Sequence, residues 1–432
     1  MKIAVVGSGI SGLSCAYRLI QGGHEVVLYE AGGHFGGHSH TVDVTFGGKT
    51  HGVDTGFLVF NHHTYPHLTA LFAELEVDTA ASDMGFSVKL PVGGRPLEWA
   101  GGNLDQVFCQ RSNLLRPAFL RMLRDILRFN QAATALAQAA DSTLEMSLGS
   151  YLDAQGYSAQ FCDWYLLPMA ACIWSCPSEQ MLAFPLASFV RFCHNHGLLQ
   201  VNDRPQWRTV RGGSREYVRR LLAGIPRRHL HTPVTAIART ANGVVLLSTL
   251  GDAQFDEVVL ATHSDQSLAL LADASDDERG VLSAVGYQAN RAVLHTDTSC
   301  LPENRKAWSA WNYQGSGDGG GGGKPARGCA RVCVHYLLNK LQPLPFEQPV
   351  IVSLNPLTPP DPRTVLREFD YAHPVFDAAA VDAQQRLPLI QGRNRVWFAG
   401  AWTGYGFHED GLKSGLAVAS AIAARAQVAR AA

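Results

Sequence analysis

Gly7, Gly9 and Gly12 stand in the spacing G-x-G-x-x-G, after the apolar run KIAVV and at the head of SGLSCAYRLIQGG, whose apolar residues recur with helical period. Strand, turn and helix in that order make a phosphate cradle. The first glycine permits a tight turn, the second lets the backbone approach a pyrophosphate, and the third lets helix and strand pack closely. Ser8, Ile10 and Ser11, in the turn and helix start, then present N–H groups to the phosphates. Glu30 closes the next strand-like run, HEVVLYE, at the distance where a carboxylate accepts both hydroxyls of an adenosine ribose. An acid there disfavours a 2′-phosphate, so NAD or FAD is expected rather than NADP.

Two further glycine turns choose between them. EAGGHFGGHSHTV (30–42) adds a glycine pair and GVDTGF (52–57) another glycine turn. An NAD site has no use for them, whereas the longer flavin dinucleotide needs further close backbone approaches along its ribityl chain and ring. In these stretches the chain resembles the flavin-containing amine oxidase and phytoene desaturase superfamily. Glu30, Ala31, Gly36, Gly37, Val53, Asp54 and Gly56 match its E-A-x-x-x-x-G-G-R and V-D-x-G motifs in register, with His38 in place of the arginine. The resemblance continues through VRGGSREYVRRLL (210–222), TPVTAI, VVLAT and FAGAWTGYGFHEDGLKSG (398–415). It implies FAD as cofactor, with Thr55 and Phe57 in the third turn, Val234 at the adenine, and Ala261 and Thr262 on the strand running to the flavin. In the last motif it implies Gly400, Ala401, Asp410, Gly411 and Leu412 as flavin contacts. A helix starting near Asp410 or Gly411 would aim its free N–H groups at the flavin N1 and C2 carbonyl, where the reduced ring carries negative charge.

No second G-x-G-x-x-G follows a strand in the middle of the chain, so the hydride is expected to come from the substrate and not from a nicotinamide. Phe407 falls where the resembling amine oxidases carry a cage tyrosine, which favours an apolar substrate over an amine. His408 and Glu409 are the acid–base candidates. Their alternative is structural, Glu409 holding a ribityl hydroxyl or a helix start and His408 packing. Tyr405, Trp402 and Trp174 are placed at the cavity wall. Residues 161–189 are rich in apolar and aromatic side chains, suiting either a domain core or a pocket for an oily ligand. Details such as WSCPSEQM and HPVF resemble a bacterial subgroup of FAD oxidoreductases linked to fatty-acyl modification. Dehydrogenation of an acyl chain is implied, with amine oxidation, double-bond isomerisation and non-catalytic flavin binding as the alternatives. Seven histidines lie between positions 34 and 67, but they overlap the flavin motif without cysteines or helix-borne pair spacing, so no metal site is expected.

The elements that must hold these residues are read from pattern and composition. A chain of 432 residues, 46% hydrophobic and 17% charged, exceeds one ordinary core, and 36 basic against 37 acidic residues leave no basic excess for nucleic acid. The expected fold is α/β: a Rossmann-like FAD-binding domain on a parallel sheet, with an inserted α+β substrate domain. Residues 1–80, 205–285 and 385–432 are assigned to the first, and 81–204 with 286–384 to the second. Helices are expected over 66–77 and 113–140, a strand meander from 230, and a surface loop at GSGDGGGGGKPARG (315–328). Along one side of the helix near 119–128, Arg121, Arg124 and Arg128 form either a solvated basic face or a contact for a lipid carboxylate or an anionic membrane. The opening run reads as strand and turn rather than signal peptide, and no apolar stretch nears the ~20 residues that span a bilayer. Nine scattered cysteines fit a reduced, cytoplasmic protein whose membrane contact, if any, is peripheral.

Overall fold

The computed structural model describes residues 1–92, 94–139, 146–200, 204–315 and 332–431; nearly all of the glycine stretch at 315–328 lies outside them. At its centre is a five-stranded sheet in the order Arg228–His229, Glu25–Tyr29, Lys2–Val6, Glu257–Leu260, Val396–Phe398, with every pairing parallel. These short β-branched runs alternate their faces. Ile3, Val5, Val26, Leu28 and Val259 point to a core shared with the first helix, Ile10–Gln21, and the last, His408–Ala431. Ala4, Val6, Val27, Val258 and Leu260 point to the opposite core, which they share with the three-stranded meander over 234–255 and the aromatic helical insert.

First and last helices meet at very close range through small residues. A Cβ on Gly415 would lie 2.2 Å from the Ser11 carbonyl oxygen, and one on Gly411 would lie 2.9 Å from Ile10 Cγ2. The chain ends are thereby locked side by side on one face of the sheet.

A second sheet, of seven strands, runs Val365–Val375, Gly286–His295, Ile351–Leu354, Val334–Leu337, Trp311–Gln314, Phe86–Val92, Arg95–Ala100. Its inward side chains, including Val88, Leu294, Val334 and Val352, form a third core against Phe119 and Met122 of the helix Pro117–Gln138. That helix starts later than the sequence pattern suggests. Residues Arg111–Leu115 form a 3-10 turn, and Arg116 is extended (φ −97°, ψ 102°) because the ring of Pro117 denies it the helical region, while proline itself suits the first helical position. The described cysteines form no disulfide with one another. Among the described residues, no helix is long and apolar enough to cross a membrane.

Candidate active site

The parallel strands all end at one edge, and the site is built on the turns that leave it. Gly7 follows Val6, and its N–H donates to the Tyr29 carbonyl at 2.9 Å, tying the first turn to the second strand. A Cβ on Gly12 would sit 1.9 Å from the Gly7 carbonyl oxygen, so helix and turn touch only because that atom is missing. A Cβ on Gly9 would instead meet no protein atom within 4 Å, since Gly9 faces open space in the crevice. Close packing at Gly12 and emptiness at Gly9 are what a backbone cradle for a pyrophosphate requires. Glu30 Oε2 accepts from Ser8 N (2.9 Å) and Ser8 Oγ (2.5 Å), and Oε1 accepts from Gly32 N (2.7 Å). Those bonds fix the carboxylate at the rim where ribose hydroxyls can reach its remaining lone pairs.

The second glycine turn lies against the first: a Cβ on Gly37 would be 3.1 Å from the Gly9 Cα. His38, at the place of the family arginine, is half-buried between Tyr371 and His373, ring centroids 4.9 and 5.2 Å away. Burial first, then the neighbouring histidines, hold its imidazole well below the ordinary range, so it is neutral. Its Nε2 is a buried polar atom with no protein partner, on the wall of the cavity. Such an atom costs free energy unless a ligand satisfies it, which fits a bound cofactor. The nearby Asp54, buried and pushed up to about 6, accepts from Thr41 Oγ, Ser214 N, Ser214 Oγ and Gln342 Nε2. It ties the third glycine turn to the helix start at 214 without entering the cavity.

The crevice continues into a chamber, together a cavity of 760 Å³. Its far part is walled by Trp311, Tyr336, Val352 and Leu354 of the seven-stranded sheet, by Cys172, Ile173 and Phe192 of two helices of the insert, and by Met84, Leu198 and Trp207. Glu30 is the single lining residue, among those described, with a full charge at neutral pH.

Of the sequence-derived cofactor residues, Gly7, Ser8, Gly9, Ile10, Ser11, Glu30, Ala31, Gly36, Gly37, His38, Thr55, Gly56, Phe57, Val234, Ala261, Thr262, Gly400 and Ala401 line this cavity. Gly12 supports it from behind. Asp410, Gly411 and Leu412 do not line it, and the reason is where the last helix begins. The helix starts at His408, two residues before Asp410, so Gly406, Phe407 and His408 are the residues that reach the cavity. Asp410 Oδ2 accepts from Phe407 N (3.0 Å) as the third residue of a helix start, Gly411 packs on Ile10, and Leu412 is buried in the core.

The proposed reactive residues separate as well. Phe407 lines the chamber, stacked on Phe192 at 4.9 Å. His408 lines it too, but its ring is stacked on Phe57 at 3.9 Å, its Nε2 is hydrogen-bonded to the Tyr217 hydroxyl at 2.8 Å, and burial pushes it down to about 3. That is a neutral, wedged ring and a poor proton acceptor. Glu409 turns away from the cavity: its carboxylate accepts from His67 N (2.7 Å) and Leu68 N (3.0 Å), the first free amides of the helix Pro66–Glu74. Tyr405 lies in a separate small cleft with Arg191 and Gln384. Trp174 points into the aromatic core, 4.6 Å from Phe192, while its neighbours Ile173 and Ser175 face the chamber. Trp402 does line the cavity, donating from Nε1 to the Thr262 carbonyl at 3.3 Å.

Several lining residues carried no readable signal. Tyr371 and His373 arrive on the long edge strand of the second sheet; His373 Nδ1 accepts from Asn290 Nδ2 at 2.8 Å, which puts its proton on Nε2. HPVF marked that segment, but not its direction. His196 ends the helix Leu186–Asn195, and its Nδ1 donates to the Phe192 carbonyl at 3.0 Å. The tautomer is therefore fixed, leaving the Nε2 lone pair on the chamber wall.

A parallel sheet with a glycine-lined crevice at its carboxyl edge, closed by the last helix and opening into an apolar chamber, defines a flavin-dinucleotide protein. The model of the family described as flavin containing amine oxidoreductase matches residues 10–423, and the chain belongs to that family. A flavin is accordingly its cofactor, and the residues of the crevice fit the FAD form. A Mycobacterium tuberculosis protein named as a flavin-containing monoamine oxidase is 26% identical over 283 residues, 62% of this chain and 58% of that protein. The match thus spans less than two-thirds of the relative's length. Among solved structures, a cyclohexylamine oxidase from Brevibacterium oxydans superposes with a TM-score of 0.70 at 15% identity, covering 99% of both chains. A fatty acid isomerase from P. acnes, described as producing CLA, gives 0.67 at 15% identity over 97% of this chain and 98% of that one. These likenesses establish the shared fold.

Proposed function

We propose that the protein is an FAD-dependent oxidoreductase that dehydrogenates a neutral, apolar substrate, a fatty acyl chain, in the chamber beyond the flavin crevice. One observation carries this reading: beyond Glu30 at the ribose end, no described residue of the cavity wall bears a full charge. An acyl chain is desolvated there at no electrostatic cost, whereas an ammonium group would be buried without a counter-ion. When bound, the flavin supplies a two-electron acceptor for hydride. Gly7, Gly9, Ser8 and Glu30 hold its pyrophosphate and ribose, and the neutral His38 offers one hydrogen bond where family members use a cation. Phe407 and Phe192 form a stacked aromatic wall that orients the chain and excludes water. Forming a carbon–carbon double bond releases a proton as well as the hydride. His196 turns its Nε2 lone pair to the chamber, but its ring is stacked on Phe192 at 3.9 Å and pushed down to about 4 by burial, so like His408 it is a weak base and the proton passes to water or to the substrate's own surroundings.

The alternative reading is oxidation of an uncharged amine, favoured by the family description and by the missing cation for a carboxylate inside the chamber. Anaerobic mixing decides between them. A lipid extract is expected to bleach the yellow protein while a panel of alkyl and aryl amines leaves it oxidised; bleaching by amines with hydrogen peroxide on re-aeration would reverse the assignment.

A further inference from the structure

The described surface has twelve large hydrophobic residues that are exposed, and five of them fall between 104 and 127: Leu104, Leu114, Leu115, Leu120 and Leu127. Leu115 is 89% exposed, Leu104 77% and Leu127 60%. Single exposed leucines need no explanation, but this many in one short stretch do. The elements carrying them are contiguous. The short helix Leu104–Val107 packs on the long helix Pro117–Gln138 through Phe108 and Phe119, ring centroids 5.9 Å apart, and the turn Arg111–Leu115 leads straight into the latter.

Basic residues stand among the leucines. On the solvent face of the long helix, Leu120, Arg121, Arg124, Leu127 and Arg128 recur at helical spacing. Arg128 is anchored, its guanidinium 4.0 Å over the Tyr157 ring, and Arg116 lies 5.4 Å over Trp164. Arg121 and Arg124 have no ion-pair partner among the described residues. Of the acids on these elements, Asp105 is engaged by Arg111 and Lys306, and Asp125 by Ser158 N and Arg128. The face is thus cationic and apolar at once.

We propose that this face docks the protein on an anionic lipid bilayer, leucines entering the headgroup region and arginines meeting the phosphates. Mixed leucine and arginine side chains match that two-layered environment, whereas a protein partner's apolar patch would leave the arginines desolvated. The placement also suits the chamber. The inner side of the same helix, at Phe119 and Met122, belongs to one core with Ala171 and Cys172, and Cys172 is chamber wall. The inference rests on the acyl reading for its purpose: a chamber with no cation for a carboxylate takes a chain whose head group stays outside, as in a membrane lipid.

Flotation of the flavin-loaded protein with vesicles tests it. Binding is expected to vesicles of phosphatidylglycerol and phosphatidylcholine in equal parts, not to pure phosphatidylcholine, and to weaken with salt. Arg121→Glu with Arg124→Glu should weaken partitioning by roughly thirty-fold, the loss of about 1 kcal/mol for each arginine at an anionic surface. Leu115→Glu with Leu127→Glu should abolish it. Unchanged flavin content in both double variants guards against misfolding. No flotation, flotation that ignores headgroup charge, or self-association in solution that the same substitutions remove would each overturn the proposal. Vesicle binding without lipid-driven bleaching would leave docking intact and sink the acyl substrate; bleaching by detergent-solubilised lipid without vesicle binding would do the reverse.

Discussion

Gly9 and Gly12 are both glycines for reasons of space, but the space belongs to different things. Around Gly12 it is occupied by the Gly7 carbonyl, 1.9 Å from where a Cβ would be, and around Gly9 by nothing in the protein. Gly12→Val should therefore break the contact between first strand and first helix and give insoluble protein. Gly9 has φ −62° and ψ 176°, which any residue adopts, so Gly9→Val should fold with a normal circular dichroism spectrum and yet purify colourless. A yellow Gly9→Val protein would mean that the pyrophosphate does not lie on this turn. Residues of this kind were legible in the sequence because close backbone approach admits one residue type at a fixed spacing. His196, Tyr371 and His373 were not. Their contribution is a direction, set by a helix end and by the pleat of an edge strand, and neither leaves a spacing to read. Glu409 shows the converse. Its type and place beside His408 suggested acid–base work, and only the fold shows its carboxylate facing another helix.

That second helix, Pro66–Glu74, explains the element-scale role of Glu409. Proline at its first position has no N–H, and Tyr65 before it provides no side-chain cap, so the amides of His67 and Leu68 depend on the acid from the last helix. Glu409→Ala should lower stability by about 1–2 kcal/mol, the usual worth of a cap, read as a reduced urea midpoint. The flavin spectrum and substrate-driven bleaching should be unchanged; loss of bleaching in folded protein would restore a catalytic role. A comparable dependence lies behind the chamber. Val352 and Leu354 face the cavity, so Ser353 faces the opposite side of the second sheet, where its hydroxyl lies 2.6 Å from both His295 Nε2 and His335 Nδ1. Asp297 N donates to His295 Nδ1, so the chain of bonds runs from His295 through Ser353 to His335 and on to Gln314. Ser353→Ala should cost about 1–3 kcal/mol by stranding two buried imidazoles. At this scale the sequence showed which runs are strands, and the parallel nucleotide-binding sheet was assembled correctly from runs at the beginning, middle and end. The strand order of the second sheet was out of reach, because seven short apolar runs admit many pairings that differ only in tertiary contacts.

Over the whole molecule, buried and half-buried imidazoles set the response to acid. Burial pushes His408 and His335 down to about 3, and His40, His196, His295 and His373 down to about 4, from an ordinary value of 6.5. Between pH 6.5 and 4 the unfolded chain takes up protons at these positions and the folded chain does not. Folding stability from them is complete above 6.5 and is lost as pH falls, by up to about 1.4 kcal/mol per pH unit for each such proton. Two buried carboxyls act in the opposite sense. Asp54 and Asp410 are pushed up by burial to about 6 from 3.8, so the stability they lend is present at low pH and disappears as pH rises through 6. The histidines outnumber them, and acid loss dominates. Because His196, His373 and His408 line the cavity itself, the flavin should be released in the same window, not after general unfolding. The urea midpoint is thus expected to fall from about pH 6.5 downward, with free-flavin fluorescence rising in step and returning to the bound level on neutralisation. A midpoint that is flat or highest near pH 5 would mean that these imidazoles are protonated in the native protein, and the neutral tautomers assigned to His196 and His373 would be wrong with it.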